Sequence, residues 1–203
     1  MSDRDVVESF EHAGKIVEIH YDIDPQNPRT EWDNDDVMVC FHRKYNLGDE
    51  HDYKSGDYSG WEELKEQICK DNDVQDILPL YLYDHSGITM STSDFGDRWD
   101  SGCVGFIYIT KAKARESHMV KRISKRVRDI VHSNLLASVK IYDEYISGEV
   151  YGYIVKDKET EEELDSCWGF YGLDYVREQA KEVAGFVKAK SKEDPNQMQL
   201  ELA

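Results

Sequence analysis

The sequence predicts an α+β fold, a single domain on a largely antiparallel mixed sheet with one long amphipathic helix and a C-terminal helix. Three observations carry this. Strand-like and helix-like stretches are mixed without the regular alternation that a doubly wound parallel sheet needs. Residues 124–146 place Val127, Ile130, Val131, Leu135, Val139, Tyr142 and Ile146 on one stripe at helical spacing. Two strand-like runs, 149–156 and 164–171, flank a charged turn and read as a hairpin. The domain is expected over residues 1–188, with 189–203 a flexible polar tail.

In chain order, residues 1–13 are polar and read as frayed chain or a short helix. Lys15 to Ile23 alternates apolar and polar side chains and predicts a strand, ended by the turn residues 24–28. A second strand is expected at 37–42, followed by a long polar loop at 43–60. Trp61, Leu64 and Ile68 recur at helical spacing, with Glu62 and Glu63 where the helix dipole favours acids. A short helix is expected at 111–116. Gly148 sits where the long helix needs a C-terminal cap. After Gly172, the positions of Leu173, Val176, Ala180, Val183, Ala184 and Val187 predict the last helix.

The stretch that organises these elements is Leu78–Ile109. Two apolar runs, 78–83 and 104–109, bracket a polar, Gly-punctuated segment, the arrangement that holds reactive groups on rigid supports.

Composition narrows the function classes. The 203 residues are 33% charged and 39% hydrophobic, and the aromatic content of 11% sets the chain apart from disordered sequences. No apolar run reaches membrane-spanning length, and Met1–Asp5 lacks the pattern of a signal peptide, so a cytoplasmic protein is expected. Cys40, Cys69, Cys103 and Cys167 form no Cys-x-x-Cys pair, which argues against structural zinc. At least three of them are expected to be buried small hydrophobes. The formal charge is −17. Residues 1–100 hold 25 acids against 9 bases, whereas 111–128 hold 8 bases against Glu116 alone. An acidic body argues against general nucleic-acid binding and permits docking on a basic protein surface.

Asp84, His85 and Asp100 form one candidate catalytic set, as acid–base groups at a strand end. His42, Asp84 and His85 are the candidate ligands should a divalent metal bind; no cofactor is otherwise expected. The plainer reading is that these carboxylates, with Asp97, cap turns and pair with Arg98, and that His85 bonds a loop backbone. Around Cys167 a strand runs into a helix, in outline like a nucleophile elbow, but Gly-x-Ser-x-Gly is absent. Lys121, Arg122, Lys125 and Arg126 are the candidate anion or nucleic-acid contacts. Cations at a helix start oppose its dipole and call for a compensating acid or phosphate. The tail sequence Gln199–Ala203 is similar to the Gln-Leu-x-Leu-Phe peptide of sliding-clamp ligands, with Ala203 in place of the aromatic anchor.

Several phrases taken together resemble one family. They are Phe41–Gly48, Leu78–Met90, Trp99–Tyr108, Tyr142–Tyr145 with Gly148–Gly152, and Cys167–Gly172. The set is similar to small proteins of phages, prophages and other mobile elements to which no function is assigned. The resemblance implies an intracellular phage protein, in the cytoplasm of a bacterial host cell, and brings no catalytic residues with it. With the acidic charge, it leads to an expected function. The chain is expected to bind a host or phage protein associated with nucleic acid, in one version by imitating the charge of DNA as antirestriction proteins do. The alternative is a metal-assisted hydrolase at Asp84, His85 and Asp100.

Overall fold

The computed structural model describes residues 6–187. The expected polar tail, including the clamp-like Gln199–Ala203, lies outside these residues. In chain order the elements are β1 (Val6–His12), β2 (Lys15–Tyr21), β3 (Val37–Cys40), α1 (Trp61–Asp71), β4 (Val74–Asp84) and β5 (Ile88–Ser91). They continue with β6 (Ser101–Thr110), α2 (Lys111–Ser117), α3 (Lys125–Ile146), β7 (Val150–Asp157), β8 (Glu163–Tyr171) and α4 (Leu173–Phe186). The class is α+β. All strand pairs are antiparallel, and the strands divide into two sheets of four. The described residues form two compact units, one from residues 6–24 and 150–187, the other from residues 25–149. No helix among the described residues is long and apolar enough to cross a membrane.

In the first unit the sheet order is β1-β2-β7-β8. Val17 and Ile19 on β2 and Tyr151, Tyr153 and Val155 on β7 point one way by strand alternation and bury against Val176, Ala180 and Ala184 of α4. The other face carries Glu18, whose carboxylate accepts two bonds of 2.7 Å from Lys156 Nζ. There Trp168 covers Gly152, where a β-carbon would lie 2.1 Å from the indole ring. Residues 6–12 form a strand, not the frayed or helical segment expected. Ala13 and Gly14, both at positive φ (49° and 74°), make the tight turn into β2.

In the second unit the order is β3-β6-β4-β5, with β6 inside the sheet. Its two faces explain its unbroken apolar run. Ile107 and Ile109 join Met38, Leu80, Val131 and Leu135 beneath α3, while Phe106 and Tyr108 join Val39, Leu64 and Ile68 beneath α1. A strand covered on both sides has no polar alternation to show. The polar segment after β4 contains a short strand, β5. Asp143 of α3 anchors it, accepting bonds from the Thr89 hydroxyl (2.7 Å) and the Met90 N–H (2.6 Å).

The loops of this unit are tied by a buried ion network. The Arg29 side chain is only 2% exposed and donates to Asp36 Oδ1 (2.7 Å) and, through Nε, to Asp49 Oδ1 (2.8 Å). Asp49 also accepts the Met38 N–H (2.7 Å), and Asp36 accepts the Ser138 hydroxyl of α3 (2.7 Å). The Tyr142 hydroxyl accepts the Gly48 N–H at 2.9 Å. The long 43–60 loop is therefore fastened at several points, with a single 3₁₀ turn at Ser55–Asp57.

Candidate functional site

Three strand ends meet at one end of the second sheet. Because β6 runs antiparallel to both β3 and β4, the last residues of those two strands lie beside its first residues. Cys40, Leu82 and Asp84 thus come next to Ser101–Val104. The loop after β3 and the start of α1 complete an open groove of about 1050 Å³, with His42, Lys44, Tyr45, Trp61, Trp99 and Asp100 in its walls. Its sequence origin is the Leu78–Ile109 stretch together with residues 40–47, Ser55 and Trp61.

The predicted site residues fall here in two pairs. Asp84 accepts a 2.8 Å bond from Lys44 Nζ and a 3.2 Å bond from the Tyr45 hydroxyl. The Lys44 bond, ahead of the others, holds the Asp84 carboxyl below the usual carboxylate range. His85 Nδ1 lies 3.0 Å from Asp100 Oδ2, and the Asp84 N–H donates to the Asp100 carbonyl at 2.8 Å. His42 stacks on Tyr45, with ring centroids 4.9 Å apart and planes 9° from parallel. Its Nδ1 accepts the Lys44 N–H at 3.3 Å.

The members of the expected metal-binding set are already bonded within the chain. Lys44 and Tyr45 occupy Asp84, and Asp100 takes His85. Among the described residues no three His, Cys, Asp or Glu side chains are grouped to hold a metal ion. As an acid–base site it is half built. An imidazole bonded through Nδ1 to a carboxylate has its Nε2 set for proton transfer, but the His85 side chain is 65% exposed. The turn-capping expectation fits Asp97, which accepts the N–H groups of Trp99 (2.8 Å) and Asp100 (3.1 Å). The cation on Asp84 is Lys44, not Arg98.

The cysteines depart from expectation. All four are free thiols, but only Cys40 is buried; Cys69 and Cys167 are exposed, and Cys103 is intermediate. Burial pushes the Cys40 thiol up to about 12, so it is inert at neutral pH. Cys167 lies within β8, six residues before the first residue of α4, so no strand-to-helix elbow presents it.

Of the basic candidates, Lys121 and Arg122 lie on the connector before α3 and Lys125 and Arg126 in its first turn, all exposed. Ser124 caps that helix, accepting the Val127 N–H at 3.3 Å. Lys121 and Arg122 enter a separate concavity with Lys111, Arg115 and Arg128. Lys125 and Arg126 do not line it.

Sequence reasoning passed over Trp99, Lys44 and Tyr45 as site members. The Trp99 side chain is 95% exposed. A lone tryptophan in a polar loop has no periodicity to signal its place, and the Lys44–Asp84 contact joins positions 40 residues apart.

Comparisons with family models, with curated proteins and with solved structures found no match to this chain.

Proposed function

We propose that the protein acts by binding another protein, with the groove beside Trp99 as the contact surface. One observation carries the reading: a tryptophan 95% exposed in the wall of an open groove. Burying an indole is among the largest single contributions to a protein interface, and tryptophan is the residue most enriched at binding hot spots. The groove walls add Lys44, Asp84 and Asp100, polar groups suited to fixing a partner's orientation. The partner class follows from the sequence. The resemblance to phage and mobile-element proteins and the net charge of −17 favour a host or phage protein that normally handles nucleic acid, including an enzyme of host defence. Imitation of DNA is the less favoured form, because the basic run 111–128 would interrupt a DNA-like surface.

Affinity capture from nuclease-treated bacterial lysate tests the proposal, with wild type and Trp99→Ala side by side. A stoichiometric partner retained by wild type at moderate salt and lost from the folded variant is the expected result. Equal retention by both moves the contact away from the groove.

A second reading, hydrolysis at Asp84, His85 and Asp100, draws on the 3.0 Å contact between His85 and Asp100. It predicts that His85→Ala abolishes function in a folded protein, with or without added divalent metal. The interaction reading predicts partner binding within about threefold of wild type, since an exposed imidazole outside the groove walls contributes little.

A further inference from the structure

A second concavity in the 25–149 unit, of about 320 Å³, is lined by Lys111 and Arg115 of α2, Lys121 and Arg122 of the connector, and Arg128 of α3. Gln75 at the start of β4 adds an amide and Ile123 an apolar wall. No carboxylate lines it. Lys111 is neutralised by Asp73, at 2.5 Å. Among the described residues Arg115, Lys121, Arg122 and Arg128 make no ion pair, although this chain has 42 acids against 25 bases. Carboxylates close by are turned elsewhere. Glu116 and Asp35 face Lys113, and Asp76 faces His132.

Chance placement in so acidic a chain would surround each cation with acids. Here four like charges share one concavity, an arrangement that repels itself until an anion enters. The support beneath them is fixed. Lys111 and Arg115 are one helical turn apart on the same face. The connector is pinned where the Met119 N–H donates to the Glu116 carbonyl and the Val120 N–H to the Arg115 carbonyl, both at 3.0 Å. Three of the four unpaired cations are arginines, whose planar forks suit phosphate oxygens.

We propose that this concavity binds a diphosphate group, either free or as the tail of a nucleotide. The charge selects the class. A phosphate monoester carries about −1.5 to −2 at neutral pH, and the second phosphate of a diphosphate adds about one charge more, so a diphosphate comes nearer to balancing the four unpaired cations than a single phosphate or carboxylate does. The form of the site favours a small ligand over a nucleic-acid strand. The cations converge on one concavity, and the rest of the chain repels a long polyanion.

Isothermal titration at low ionic strength with EDTA tests this, using inorganic pyrophosphate, ADP, inorganic phosphate and a short DNA duplex as separate probes. The expected result is saturable one-to-one binding of pyrophosphate and ADP, at least tenfold tighter than phosphate, with DNA weaker still. Equal affinity for pyrophosphate and ADP assigns the site to the free diphosphate group, and tighter ADP assigns it to a nucleotide. Arg115→Gln and Arg122→Gln, both at exposed positions, should each weaken binding about tenfold. Lys125→Gln and Arg126→Gln, just outside the concavity, should leave it within twofold. Absence of pyrophosphate and ADP binding, preference for DNA, or equal losses in all four variants would overturn the proposal.

Discussion

Arg29 shows how much of this fold can rest on one side chain. Its guanidinium is shut from water and engages Asp36 and Asp49, which in turn hold the start of β3 and Ser138 of α3. Removing the cation leaves two carboxylates in a site built to neutralise them. Loss of one member of a buried pair costs about 3–5 kcal/mol. Arg29→Ala should lower stability by that amount in urea denaturation, and Arg29→Lys should rescue only part, because an ammonium cannot reproduce the fork. The thiols give a second check at this scale. Cys69 and Cys167 should react quickly with a disulfide reagent at pH 8, Cys103 slowly, and Cys40 only on unfolding, since burial raises its pKa to about 12. Asp84 gives a third. Lys44 and Tyr45 favour its ionised form, so its folded pKa lies below the unfolded one. The stability this contact contributes is therefore present above the ordinary carboxylate range and is lost as pH falls through the lowered value. A carboxyl-carbon NMR titration should find Asp84 depressed in wild type and moved upward in Lys44→Gln. An unchanged midpoint would remove Lys44 as the cause.

Among the elements, β6 is the one with least tolerance. Gly105 has φ of 157°, and a β-carbon there would meet the Val39 carbonyl oxygen at 1.9 Å, a backbone atom of β3. Gly105→Ala must push β6 away from the edge strand β3, so a loss of about 2–3 kcal/mol or more is expected in thermal or urea unfolding. Gly87→Ala, with open space around its site, is the control. Which elements the sequence revealed follows from how each one is buried. α3 announces itself because one stripe is buried over 22 residues. β6 reads as a strand of uncertain faces because both are covered. β1 stays hidden in the sequence because its residues are mostly polar, and a register shift between Val6 and Glu8 breaks the alternation, so that Val7 and Phe10 both pack against the α4 core. β5 was missed because it has four residues, too few for alternation to show, and Asp143, 52 to 55 positions away, holds it in place. The groove was half legible for the same reason. Its β4–β6 side lies in one conspicuous stretch, while Lys44, Tyr45 and Trp61 reach it only through the fold.

For the whole molecule the governing quantity is charge. Residues 6–24 and 150–187 together hold 14 acids against 5 bases, and residues 25–149 hold 23 against 16, so each unit is acidic by itself. Specific pairs such as Lys156–Glu18 and Arg177–Glu8 offset part of this locally, but the surplus remains. Self-repulsion of like charges favours the expanded chain, and salt screens it, with a Debye length falling from about 30 Å at 0.01 M to about 8 Å at 0.15 M. Exposed ion pairs lose strength over the same range, but each is worth only about 0–1 kcal/mol, whereas the net repulsion involves every surplus acid. Repulsion therefore dominates the salt response. Raising sodium chloride from 0.01 to 0.15 M should increase the melting temperature by a few degrees, roughly 2–4 °C per kcal/mol gained in a chain of this size. Potassium chloride should do the same, because screening depends on ionic strength and not on the ion. Pyrophosphate distinguishes screening from occupancy. If it fills the basic concavity, it should stabilise at millimolar concentration beyond sodium chloride of matched ionic strength, and Arg122→Gln should remove that excess while keeping the response to sodium chloride.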